Sequence, residues 1–120
     1  MYRILLYTTE NGRSPVKEFM ENLAKGSKRT ELTSFIGYQE RLAECGMQVN
    51  TTYPGTIKHL QGEIYELRPG KNRVLFFAAV GDDFVLLHAF RKTTQKTPKR
   101  EIEKAIHEMK DYIDRSDRNE

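Results

Sequence analysis

The side chains that could do chemistry gather in one third of this 120-residue chain. Residues 56–100 hold nine Lys or Arg against four Asp or Glu. Residues 1–55 hold seven against six, and residues 101–120 hold four against seven. The formal charge is only +3, so it is the concentration of cations, not their total, that points to an anionic ligand such as a phosphate backbone. Glu66, Arg68, Arg73, His88 and Lys92 are the candidates for catalysis. Lys58, His59, Phe90, Arg91 and Lys96 are the candidates for holding the ligand, with the Phe90 ring as a surface on which an unstacked base can lie. In RNA the nucleophile can belong to the substrate. The 2′-hydroxyl attacks the adjacent phosphorus and leaves a 2′,3′-cyclic phosphate and a 5′-hydroxyl end. Clustered Arg and Lys would stabilise the extra negative charge of that transition state, commonly the greatest single contribution to such catalysis. Glu66, His59 or His88 could take a proton, and Lys92 or another histidine could give one.

Other chemistries lack their residues. There is no Gly-rich nucleotide loop and no His-Glu-x-x-His pattern, and no Ser or Cys sits in a nucleophile turn. Three scattered histidines and one cysteine make a metal centre unexpected, so neither metal nor other cofactor is implied. The single Cys45 excludes an internal disulfide and fits a reducing cytoplasm. The longest apolar runs, 74–80 and 84–89, are far short of the roughly 20 residues that cross a bilayer. The first residues meet Glu10 too early for a secretory segment. With 38% apolar and 31% charged residues, the expectation is one soluble cytoplasmic domain over residues 1–120, with no membrane partner.

The elements that must position these residues follow from periodicity. Residues 2–8 read as a strand ended by Asn11-Gly12. Ser14-Pro15 reads as a cap followed by proline at the first helical position, and Val16, Phe19, Met20, Leu23 and Ala24 then recur at helical spacing up to Gly26. A second helix is expected over 27–45, stopped by Gly46, so that the two form a hairpin. Residues 50–62 lack a period and read as a loop carrying Lys58 and His59. Three strands follow, at 63–68, 73–80 and 84–92, with turns at 69–72 and 81–83. Thr97-Pro98 repeats the cap-plus-proline start for a closing helix, beyond which residues 114–120 are expected to fray. The order is β-α-α-β-β-β-α, an α+β fold whose antiparallel sheet is covered by helices on one face.

Strand side chains alternate faces, and directly paired residues share a face. The turn at 69–72 pairs Arg68 with Arg73, Glu66 with Leu75 and Ile64 with Phe77. The next turn pairs Phe77 with His88, Leu75 with Phe90 and Arg73 with Lys92. One face then carries Ile64, Glu66, Arg68, Arg73, Leu75, Phe77, His88, Phe90 and Lys92. The other carries Tyr65, Leu67, Val74, Phe76, Ala78, Val85, Leu87 and Ala89, and should be the core. Three cations at one end of a sheet face repel one another unless an anion sits among them. A one-residue bulge in either hairpin would regroup the faces.

The series Ile64-Tyr65-Glu66-Leu67-Arg68, Asn72-Arg73-Val74-Leu75-Phe76-Phe77 and Leu86-Leu87-His88-Ala89-Phe90-Arg91-Lys92-Thr93-Thr94-Gln95-Lys96-Thr97-Pro98 resembles the HigB-like, partly phage-derived branch of the RelE/ParE toxin superfamily. The element order matches that branch over nearly the whole chain. The resemblance implies a RelE-like fold and an mRNA-cleaving toxin acting on translating ribosomes. It also implies a cognate antitoxin that carries a helix-turn-helix domain. Carried over on the motif, Arg68, Arg73 and Lys92 are catalytic, and Lys58 and Lys96 contact RNA or ribosome. Arg91 departs from the apolar residue or Lys of the pattern. Two rival functions share the scaffold: a gyrase inhibitor of ParE type, and a non-catalytic RNA- or protein-binding module.

Overall fold

The computed structural model describes residues 1–118. Strand β1 (Arg3–Leu6) is followed by helices α1 (Pro15–Lys25) and α2 (Arg29–Cys45). Ser14 caps α1, its hydroxyl accepting the Lys17 amide at 3.3 Å, with Pro15 in the first turn and Gly26 closing the helix. Gly46 ends α2 at φ +64°, where a Cβ would fall 2.5 Å from the Tyr2 ring, so the stop and the close approach of β1 both need glycine. The segment expected as a loop is partly ordered structure. A short 3₁₀ turn (Gly46–Gln48) and the four-residue helix α3 (Val49–Thr52) lead into a strand, β2 (Ile57–Gln61). Its pairing with β3 (Ile64–Leu67) slips between His59 and Gln61. Such a short, irregular edge strand with mostly exposed residues leaves little alternation to read.

Strands β4 (Asn72–Ala78) and β5 (Asp83–Arg91) complete a five-stranded sheet in the order β1-β5-β4-β3-β2, antiparallel except for β1, which runs parallel to β5. Helix α4 (Lys99–Arg118) closes the chain. Residues 114–118 are therefore helical, not frayed; residues 119 and 120 of that expectation lie outside the described residues. The architecture is α+β with a RelE-like order, one strand richer than the sequence suggests.

Helices cover both faces of the sheet. On one, Val16, Leu23, Phe35 and Leu42 of the α1–α2 hairpin pack on Leu67, Val74, Phe76, Phe84 and Leu86. On the other, Ala105 and Met109 of α4 pack on Ile64, Leu75, Phe77, Val85 and Leu87. Each fully buried aliphatic or Phe side chain here contributes about 1.5–3 kcal/mol. Two corrections to the expected register explain this second core. Arg73 pairs with Phe90 and Leu75 with His88, two residues from the expected partners, a shift that preserves faces because strands have period two. Then a bulge intervenes, with Leu75 opposite His88 but Phe76 opposite Leu86. Leu87 is the extra residue, and the bulge transfers Val85 and Leu87 to the α4 side. The face expected to be polar is thus half core.

Candidate functional site, a cationic cleft

Beyond the end of α4 where Ile102 lies, the same sheet face opens into a cleft of about 210 Å³. One row across this sheet face reads Lys58, Glu66, Leu75, His88, strand by strand from β2 to β5, with Lys58 and Glu66 in the cleft and Leu75 and His88 covered by α4; in the next row Arg73 stands opposite Phe90. The connection from β5 to α4 supplies a wall with Lys92, Gln95, Lys96 and Thr97. Five cationic side chains (Lys58, Arg68, Arg73, Lys92 and Lys96) line it with one carboxylate, Glu66.

Glu66 is the buried centre, only 2% exposed. Its Oε2 lies 3.5 Å from Arg68 Nε and 3.8 Å from Arg73 Nε, while Oε1 accepts a hydrogen bond from the Thr97 hydroxyl. Arg73 is 6% exposed and is fixed from behind, its Nη1 donating to the carbonyls of Gly70 at 2.7 Å and Asn72 at 2.8 Å. Gly70 takes φ +64° in the turn that brings its carbonyl there. Burial pushes the Arg73 guanidinium pKa down; Glu66 opposes the shift and Arg68 adds to it. Arg68 is half-buried, and its Nε is out of solvent without a hydrogen-bond acceptor. That nitrogen faces the Glu66 carboxylate and is paired with it by charge alone. Among the described residues, Lys58, Lys92 and Lys96 have no carboxylate at ion-pair distance.

The structure therefore brings Lys58, Glu66, Arg68, Arg73, Phe90, Lys92 and Lys96 together. Three other candidates are placed differently. His88 shares the Arg73 face, but it does not line the cleft. It is 2% exposed and faces α4, with Nδ1 2.5 Å from Glu108 and Nε2 3.0 Å from Glu101. Arg91, one residue out of phase, donates to Glu31 of α2 at 2.6 Å on the hairpin side. That bond, with a second from Asn72, holds the Glu31 carboxyl below its usual range. His59 belongs to strand β2, not to a loop. It reaches the cleft rim while its ring rests on Tyr65, centroids 4.9 Å apart, and its Nε2 lies 2.8 Å from the Gly62 carbonyl.

Leu60, Gln95, Thr97 and Ile102 also line the cleft, and neither charge nor strand alternation marks them as site residues. Thr97 does carry a signal in the sequence, but for a different role: Thr-Pro predicts a cap on the closing helix. That helix begins at Lys99, and the Thr97 hydroxyl donates to Glu66 instead.

A sheet of this order, with a helical hairpin on one face and a closing helix leaving cations uncovered on the other, defines a RelE-like protein. Residues 18–110 match the family described as phage derived protein Gp49-like (DUF891). The chain belongs to that family, which is part of the RelE/HigB-like toxin group. A comparison with curated proteins found no match. Among the described residues, no helix is long and apolar enough to cross a membrane.

Proposed function

We propose that this protein is the toxin of a type II toxin–antitoxin pair and cleaves mRNA on the ribosome in the cytoplasm. The observation that carries this reading is the cleft: five cations around one buried carboxylate. A phosphodiester of the RNA backbone supplies the anion that balances these cations. Arg68 and Arg73 bind its non-bridging oxygens and stabilise the charge that grows when the 2′-hydroxyl attacks phosphorus. The bond from phosphorus to the 5′-oxygen then breaks, giving a 2′,3′-cyclic phosphate. Lys92 donates the proton that the departing 5′-oxygen needs. The 2′-hydroxyl proton passes to water or a phosphate oxygen at the open mouth. Phe90 stacks a flanking base, and Lys58 and Lys96 hold neighbouring phosphates.

The weight of catalysis falls on charge stabilisation, since of the three candidate bases His88 faces α4, Glu66 lies beneath the arginines, and His59 stands at the rim with its Nε2 on the Gly62 carbonyl. A helix-turn-helix antitoxin is the partner that restrains the activity. The test is primer-extension mapping of mRNA ends after brief expression, beside Arg68→Ala and Arg73→Ala. In vitro, purified protein and programmed ribosomes should release fragments with 5′-hydroxyl ends. Intact mRNA with accumulating DNA breaks would instead mark a gyrase inhibitor. RNA bound but never cut would mark a binding module.

A further inference from the structure

Thr97 lies outside the motif residues that the family resemblance marks as catalytic, yet among the described residues it makes the one side-chain hydrogen bond received by the Glu66 carboxylate. This bond spans 31 residues of sequence and joins the β5–α4 connection to the cleft floor. It fixes Oε1, and with it the direction of Oε2, which lies between the Nε atoms of Arg68 and Arg73 at 3.5 and 3.8 Å. Neither distance is a hydrogen bond, so Oε2 aligns the two guanidinium groups by charge without consuming their donors. The same residue follows Gln95 and Lys96 in the cleft wall, so one bond sets both floor and wall.

We propose that Thr97 is a positioning residue. Its hydroxyl orients Glu66, which in turn holds the Arg68 and Arg73 guanidinium groups side by side at the cleft floor. The catalytic part of this inference rests on the nuclease reading above; the geometric part does not.

Two substitutions separate the hydroxyl from the shape of the side chain. Thr97→Val keeps the branched volume and removes the donor, and Thr97→Ser keeps the donor. The first readout needs no activity: the Nε–Hε nuclear magnetic resonance signals of Arg68 and Arg73 in the intact protein. Both should shift or broaden in Thr97→Val and return in Thr97→Ser, while backbone amide signals away from the cleft stay alike in all three proteins. The second readout is cleavage on programmed ribosomes. Loss of a hydrogen bond to a charged group corresponds to roughly a 10- to 100-fold drop in rate, expected in kcat with KM for ribosomes unchanged, and Ser should restore it. Unmoved guanidinium signals in Thr97→Val overturn the proposal, as does a wild-type kcat in that variant. Signals that move in a protein whose wild type cleaves no RNA overturn the nuclease reading and leave Thr97 as the organiser of the anion site.

Discussion

At the residue scale, the cleft separates side chains that line it from side chains that only share the neighbourhood. Arg68 lines the cleft half-buried, so Arg68→Ala should lower ribosome-dependent cleavage by about 10²–10³, the usual cost of removing one transition-state donor, a larger effect than any loss of stability would explain. Arg73 also supports the 69–72 turn through its two carbonyl bonds. Arg73→Ala should therefore lose both activity and stability, a combination that urea unfolding beside the cleavage assay would reveal. Arg91 gives the contrast: held by Glu31 on the other face, it can be replaced by Ala with cleavage at the wild-type rate. A large loss there would show that RNA reaches around the sheet edge. The sequence placed Arg68, Arg73 and Lys92 together because alternation in paired strands is a local rule. It could not distinguish Arg91 or His88 from them, because what each faces is set by helices distant in sequence.

At the element scale, α4 is bound to the sheet through buried polar contacts as well as apolar ones. His88 lies between Glu101 and Glu108, which project two turns apart along one side of α4. His88→Ala leaves the buried Glu108 without its hydrogen-bond partner and should destabilise by about 1–3 kcal/mol, read as a lower urea midpoint with an unchanged slope. A second clasp lies on the same helix, where the Tyr7 hydroxyl donates to Asp111 at 2.6 Å. Burial, helped by that bond, pushes the Tyr7 pKa up to about 12. The folded state therefore holds this proton more tightly than the unfolded chain, whose tyrosines ionise near pH ~10. The resulting stability is complete below about pH 10 and is lost as pH rises through about 12. Tyr7→Phe should lack this alkaline loss, which unfolding midpoints measured from about pH 9 to about pH 12 would show. Helix starts were more legible. Ser14 and Pro15 set α1 by local hydrogen bonding and a fixed φ, whereas Thr97, with the same cap-then-proline look, was drawn away from capping by a carboxylate 31 residues back in the chain.

At the scale of the whole molecule, the net charge of +3 conceals an uneven field. The cleft holds five of the cations at one end of the sheet. Single-stranded RNA binding should weaken with salt at a slope of about −0.7 for each phosphate contacted. Removing Lys58 or Lys96 should make that slope shallower by about 0.7 each, whereas Arg91→Ala should leave it unchanged. Equal slopes in all of these proteins would place the RNA elsewhere.

By itself the sequence determined the elements whose signals are local: the capped first helix, the hairpin it forms with the second, three antiparallel strands, and the shared face of Glu66, Arg68 and Arg73. Period, cap and turn chemistry act over a few residues, so they can be read without knowing what packs above them. Only the tertiary structure decided that β2 exists, that a bulge at Leu87 turns half of the charged face into core beneath α4, and that His88 and Arg91 are held by carboxylates away from the cleft. An edge strand gains its order from its neighbour. A bulge is chosen by the layers it must fit, and a charged side chain turns toward the partner that the fold, not its neighbours in sequence, brings within reach.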